Sequence, residues 1–212
     1  MPSQSYGTFI TNSQEKSLKN RLITLLKNSE ELKFLVGFFY FSGIKELYET
    51  LKNLYEAGEM PPDFLKILVG LNIDETNYGI VEIARKNKAL NIAEEKEAFI
   101  SSLKKAFTSS ETDNEQTYKQ AEFFLQLLKE GKLVLRKTKE PNHAKLYLFK
   151  TKDSVKDILP HLFITGSSNL TKAGLESQNE FNVEIKDYGF SEAEEYFDRL
   201  WNSSIELREE DV

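Results

Sequence analysis

The sequence predicts an α/β fold: a mixed, mostly parallel β-sheet with helices on both faces. Three observations predict it. Phe34–Phe41 (FLVGFFYF) is apolar throughout, as a strand buried on both faces reads. Phe64–Leu71 (FLKILVGL) has the same character, and helical periodicity fills the interval, giving a strand–helix–strand unit that pairs strands in parallel. Helix-like and strand-like stretches continue to the C-terminal end with no internal repeat, so residues 1–212 are expected to form one domain.

The elements follow in order. Asn12, with Glu15 three residues on, reads as a capping box. Leu18, Leu22, Leu25 and Leu26 then recur at helical spacing, predicting a helix over about 14–28. After the strand Phe34–Phe41, Ser42 is placed to cap a helix striped by Ile44, Leu47, Tyr48, Leu51, Leu54 and Tyr55. Gly58 and Pro61-Pro62 stop it, and the strand Phe64–Leu71 follows. Residues 77–107 read as helix in two pieces. Thr108–Thr117 is polar and aperiodic and reads as a loop. Tyr118, Ala121, Leu125 and Leu128 mark a further helix ending at Gly131. Strands are then expected at Leu133–Arg136, Ala144–Phe149, His161–Thr165 and Phe181–Ile185, with a last helix over about 191–201 and a charged tail from Glu206 to Val212.

Composition narrows the chemistry. The chain has 212 residues, 40% hydrophobic and 29% charged, an ordinary globular balance. It has no cysteine, so thiolate nucleophiles, disulfides and Cys-bearing zinc sites are excluded. With only two histidines, His143 and His161, a three-histidine metal centre cannot form within one chain. The sequence contains no His-Glu-x-x-His, no phosphate-binding Gly-x4-Gly-Lys-Ser/Thr loop, no Gly-x-Gly-x-x-Gly turn and no Gly-x-Ser-x-Gly elbow. Met1–Lys16 is polar and lacks the apolar core of a signal peptide. The longest apolar run, Phe34–Phe41, is far shorter than the roughly 20 residues that span a bilayer. A cytoplasmic protein is expected.

The residues that carry chemistry lie in the C-terminal half. Asn142-His143-Ala144-Lys145 enters a predicted strand, where alternation would place His143 and Lys145 on one face. The imidazole is a candidate nucleophile, and the ammonium offers three donors to an anion. Thr165-Gly166-Ser167-Ser168-Asn169 closes another strand, and Lys172 follows shortly after. A Gly-Ser-rich turn there can offer N–H and hydroxyl donors to phosphate oxygens, and in an extended turn Ser167 and Asn169 would project together. Glu180, eleven residues after Asn169, opens the next strand; a carboxylate there can orient an imidazole.

The ordered set His143-x-Lys145, Gly166-Ser167-x-Asn169 and Glu180 resembles the active-site signature of the phospholipase D superfamily. It is most similar to the single-motif, nuclease-like domains of restriction endonucleases and of some helicases. The motifs occupy residues 142–185, and the likeness in element order covers most of the chain. One position departs: Lys150 stands where the family carries the aspartate of its His-x-Lys-x4-Asp motif. The tyrosyl-DNA phosphodiesterase branch also lacks that aspartate.

The resemblance implies a phospholipase D-like half-domain and a metal-independent phosphodiesterase, an endonuclease acting on nucleic acid, DNA being expected before RNA, with no cofactor. Catalytic roles fall to His143, Lys145, Ser167, Asn169 and Glu180, and substrate contacts to Gly166, Ser168, Lys150 and Lys172. Family members use two His-x-Lys units. This chain has one, since Leu162-Phe163 follows His161, so a homodimer is implied. A fused or associated helicase is a further expected partner. From Lys129 to Lys152 eight basic residues stand against two acidic ones, a local +6 within a chain of −6, and this suggests a basic rim for nucleic acid. Two other readings stay open. One is a non-catalytic DNA-binding or dimerisation module, against which the retention of His143, Lys145, Asn169 and Glu180 weighs. The other is a phosphatidyl-transferring enzyme, for which an amphipathic membrane surface is expected and none is found.

Overall fold

In the computed structural model, residues 7–13, 16–39, 41–71, 115–186 and 188–207 are described. The strands are β1 (Phe9–Ile10), β2 (Ser29–Val36), β3 (Leu65–Val69), β4 (Leu133–Lys137), β5 (Leu146–Thr151), β6 (Leu162–Gly166), β7 (Asn182–Ile185) and β8 (Ile205–Leu207). The helices are α1 (Leu18–Lys27), α2 (Phe41–Lys45), α3 (Tyr48–Glu56), α4 (Glu115–Lys129) and α5 (Phe190–Asn202). A π-helical turn covers Ala173–Ser177.

The strands form one sheet in the order β1-β7-β6-β5-β2-β3-β4-β8. The fold is α/β with a mixed sheet, but the expectation that it is mostly parallel is wrong. Only β2/β3 and β3/β4 pair in parallel; β1/β7, β7/β6, β6/β5, β5/β2 and β4/β8 are antiparallel. The physical reason is the length of the connections. A parallel return needs a crossover of a dozen or more residues, usually helical. β2 reaches β3 through α2 and α3, whereas β5 reaches β6 through a run of turns over 152–161.

Helices do cover both faces. Leu22, Leu25 and Leu26 of α1, Leu51 of α3 and Phe124 and Leu127 of α4 pack on Phe34, Ile67, Tyr147 and Ile164. On the opposite face Phe197 and Trp201 of α5 pack on Leu35, Leu68, Leu146 and Leu148. The central strand β2 is therefore buried on both sides, as its apolar run requires. Its one cation there, Lys33, is met by Glu194 at 2.8 Å and Asp198 at 2.9 Å from α5.

Boundaries differ from expectation where local polar contacts decide. α1 starts at Leu18 because Ser17 is its N-cap, accepting Asn20 N–H at 3.2 Å. Asn12 still caps, but across the loop: its Oδ1 accepts Leu18 N–H at 2.9 Å and its Nδ2 donates to Gly174 O at 2.8 Å. β2 begins at Ser29 and stops before Gly37, and the next helix already starts at Phe41, one residue before Ser42. The expected single stripe is split into α2 and α3 around Glu46-Leu47. The helices expected over 77–107 lie outside the described residues. Of the loop expected over 108–117, residues 115–117 belong to α4. Glu206 and Leu207 are not tail but part of β8, paired with Arg136 and Leu135.

Candidate active site

One end of the sheet gathers the chemistry, and the topology explains why. β2, β3 and β4 point their C-terminal ends that way; β5 and β7 run opposite and start there; β6 ends there. Gly37, Gly70, Lys145, Gly166–Asn169 and Glu180 are therefore brought to the same rim despite wide separation in sequence.

Gly37 is the floor. A Cβ built on it would stand 3.2 Å from Asn169 Oδ1 and 3.5 Å from Lys145 Nζ. Asn169 Oδ1 accepts Phe38 N–H at 3.0 Å. That bond fixes which way round the amide sits and engages its oxygen, not its Nδ2 donors. Lys145 is half-buried, and its Nζ donates to His143 O at 2.6 Å. Burial holds its pKa below the ordinary lysine value, and the Glu180 carboxylate partly opposes that shift. Glu180 also helps raise the Tyr147 phenol, after burial, which is the larger cause.

His143 is exposed, in the segment just before β5. The expected strand geometry does not extend to it. Ala144 N–H is taken by Asn142 Oδ1 at 2.9 Å, an Asx turn that spends the amide a pleated strand would use. His143 and Lys145 are thus linked through the lysine's bond to the His143 carbonyl rather than by alternation.

The Gly-Ser turn divides into two roles. Ser167 Oγ donates to Glu180 Oε2 and accepts Phe181 N–H at 3.0 Å. Its single proton is committed to the carboxylate, so the hydroxyl orients Glu180; the expected bond to a phosphate oxygen is not the one in place. Ser168 is fully buried, and its expected substrate contact does not survive. Its N–H and Oγ both meet the Asn182 amide, at 3.2 and 2.9 Å, and its carbonyl accepts Tyr147 Oη at 2.9 Å. Gly166 is likewise a packing position: a Cβ there would stand 2.4 Å from Phe181 O and 2.5 Å from Asn182 Oδ1.

Lys150 is not part of the rim. It lies five residues along β5 from Lys145, roughly 17 Å at strand rise, and its Nζ is 3.3 Å from Glu30 Oε1. Lys172 is exposed three residues beyond Asn169, at the start of the π-helical turn. The basic run Lys129–Lys152 forms no continuous rim, because the strands distribute it to both sheet ends. Lys152 meets Glu59 at 2.6 Å, and Lys132 donates to Met60 O at 2.6 Å, both at the far end. Lys137 and Lys139 stay at the site end; Lys137 is buried and donates to Gly70 O at 3.1 Å. His161 is also remote: its Nδ1 accepts Thr151 N–H at 3.1 Å.

Gly37, Gly70 and Asn182 escaped the sequence reading. Gly37 carried a usable signal, a glycine inside an otherwise apolar strand run, which marks close approach of another group. Among the described residues no group of three or more His, Asp or Glu side chains could hold a metal ion, and no helix is long and apolar enough to cross a membrane.

The sequence matches the family described as cardiolipin synthase, PLD-like domain, over residues 22–201. No curated protein matches it. Similar solved structures include Nuc, a phospholipase D family member from Salmonella typhimurium, at 15% identity, TM-score 0.45, 94% of this chain and 95% of that one. Phosphatidylserine synthase from Haemophilus influenzae Rd KW20 is similar at 15% identity and TM-score 0.52, over 94% of this chain and 38% of that one. NucT from Helicobacter pylori is similar at 14% identity and TM-score 0.45, over 89% of each chain.

Proposed function

The chain belongs to the family of cardiolipin synthase, PLD-like domains, and on that premise we propose that it is a phosphodiesterase whose chemistry runs through His143, with DNA as substrate. The observation that carries the reading is the convergence of Lys145, Asn169 and Glu180 at the Gly37 rim, with His143 tied to Lys145. An ammonium and a fixed amide donor aimed at one place suit the negative oxygens of a phosphodiester.

The proposed reaction has two displacements. An imidazole nitrogen of His143 attacks phosphorus, and the bond from phosphorus to one ester oxygen breaks. That oxygen leaves as an alcohol after taking a proton from a second imidazolium. The second imidazole then removes a proton from water as the water attacks the phosphohistidine, releasing a phosphomonoester and restoring His143. The second imidazole is assigned to the His143 of another copy, because His161 sits at the far end of the sheet with Nδ1 engaged by Thr151. A two-fold dimer would place identical rims face to face. Lys145 and Asn169 hold the phosphoryl oxygens, and Glu180, oriented by Ser167, orients the imidazole. A nucleic-acid substrate is supported by the exposed cations at this sheet end, Lys139 and Lys172, which suit backbone phosphates.

The test is cleavage of single- and double-stranded DNA in excess EDTA, wild type beside His143→Ala, with acid-quenched protein probed for phosphohistidine. Chelation-resistant cleavage that disappears in the variant is expected. Cleavage abolished by EDTA, or unchanged in the variant, overturns the mechanism. DNA binding without cleavage would support a non-catalytic module.

A further inference from the structure

We propose that Asn142 and Tyr196 are positioning residues for His143, so that α5 sets the geometry of the nucleophile. The inference rests on the reading of His143 given above.

Asn142 is tied at its backbone N–H, its side-chain oxygen and its side-chain nitrogen. Its backbone N–H donates to Gly70 O at 3.1 Å, at the end of β3. Its Oδ1 accepts Ala144 N–H at 2.9 Å, closing the turn that has His143 at its centre. Its Nδ2 donates to Tyr196 Oη at 3.2 Å, on α5. The close seat on β3 is possible only because position 70 has no side chain: a Cβ there would stand 1.8 Å from Asn142 O. Gly70 O is itself fixed, since it also accepts Lys137 Nζ at 3.1 Å and Thr138 Oγ1 at 3.3 Å.

Tyr196 is a firm support. Phe197 and Trp201 hold α5 to the sheet, Lys33 joins it to β2, and the Arg199 guanidinium lies 5.5 Å from the Tyr196 ring centroid. The phenol engages the Asn142 amide from the nitrogen side. Ala144 N–H, a donor only, selects the amide orientation, and the phenol steadies the amide by accepting Nδ2–H at its other end. Removing that hydroxyl leaves the amide anchored only through Ala144 N–H, and the turn around His143 loses its tie to α5. A misplacement of about 1 Å at a reacting group costs on the order of 100-fold in rate.

The experiment uses the full chain with Tyr196→Phe, Asn142→Ala and Asn142→Asp. Aspartate keeps an acceptor for Ala144 N–H and can accept the Tyr196 hydroxyl, so it serves as the conservative rescue. On the phosphodiester bis(p-nitrophenyl) phosphate, kcat is expected to fall about 10-fold in Tyr196→Phe and about 100-fold in Asn142→Ala, with KM within about twofold and partial recovery in Asn142→Asp. A second readout does not depend on activity. The chain has two histidines, so two imidazole spin systems in ¹H–¹⁵N spectra are assigned by His143→Ala. The His143 signals are expected to shift or broaden in Tyr196→Phe and Asn142→Ala, while those of His161, held by Thr151 at the other sheet end, stay in place. Unchanged His143 signals overturn the proposal even if activity falls. So does movement of both histidines together with a lower Tm, which is a general loss of structure. Wild-type protein without phosphodiesterase activity would refute the functional reading, and the spectra alone would then decide the positioning role.

Discussion

Ser167 and Glu180 are joined by a hydrogen bond in which the serine hydroxyl donates to the carboxylate, while the same oxygen accepts Phe181 N–H at 3.0 Å. The serine therefore acts on the carboxylate and on the strand start that carries it. Hydrogen bonds to charged groups contribute about 1.5–3 kcal/mol, so Ser167→Ala is expected to lower kcat about 10- to 100-fold. Glu180→Gln is expected to cost more. Because the two act as one unit, the double variant is expected to be no slower than Glu180→Gln within about threefold. Steady-state kinetics on a phosphodiester checks this; additive losses would mean that Ser167 acts on the substrate by itself.

The role proposed for Lys145 implies an alkaline limit. In the proposed reaction its ammonium is the form that holds a phosphoryl oxygen, and burial lowers its pKa below the usual lysine value. Activity is therefore expected to fall with rising pH earlier than for an ordinary lysine. Glu180 raises that pKa, so Glu180→Gln moves the alkaline limb further towards neutral pH. Lys145→Arg, whose guanidinium stays protonated, is expected to remove the limb even where it lowers the rate. The pH dependence of kcat/KM in the three proteins checks the order.

What the sequence made legible follows from range. His143, Lys145, Asn169 and Glu180 were recognisable because residue type and spacing lie within a 40-residue stretch. Ser168 and Gly166 share that stretch, but their roles depend on Asn182 and Phe181, which meet them only once β6 and β7 pair. The basic run failed for the same reason: chain proximity became spatial separation when β5 carried Lys150 and Lys152 to the far end. The parallel β2/β3 pair was legible from its helical crossover, whereas β1 and β8, of two and three residues, are too short for periodicity to register.

A buried ion pair couples α1 to the strand beside the site. Arg21 Nε and a terminal guanidinium nitrogen reach Glu184 at 2.5 and 2.7 Å, and the side chains are 6% and 1% exposed. Lys186 adds a contact of 3.0 Å to the same carboxylate. Breaking such a pair from one side leaves a buried charge without its counterpart. Glu184→Gln is expected to destabilise the fold by about 3–5 kcal/mol, read from urea unfolding midpoints with an unchanged m value. Arg21→Met with Glu184→Leu, which removes both charges, is expected to recover much of that loss.

The division of the basic run makes a prediction about salt. Each phosphate contact made by a lysine releases condensed counterions and adds about 0.9 to the slope of log K against log salt on duplex DNA. Lys139 and Lys172 are exposed at the site end of the sheet, whereas Lys150 and Lys152 stand at the other end beside Glu30 and Glu59. If DNA lies across the rim, Lys139→Ala and Lys172→Ala each flatten the slope by about one contact, and Lys150→Ala and Lys152→Ala leave it unchanged. Fluorescence anisotropy of labelled DNA at several salt concentrations measures all four. Flattening by the Lys150 and Lys152 variants alone would place the nucleic acid on the opposite end of the sheet and separate binding from the His143 rim.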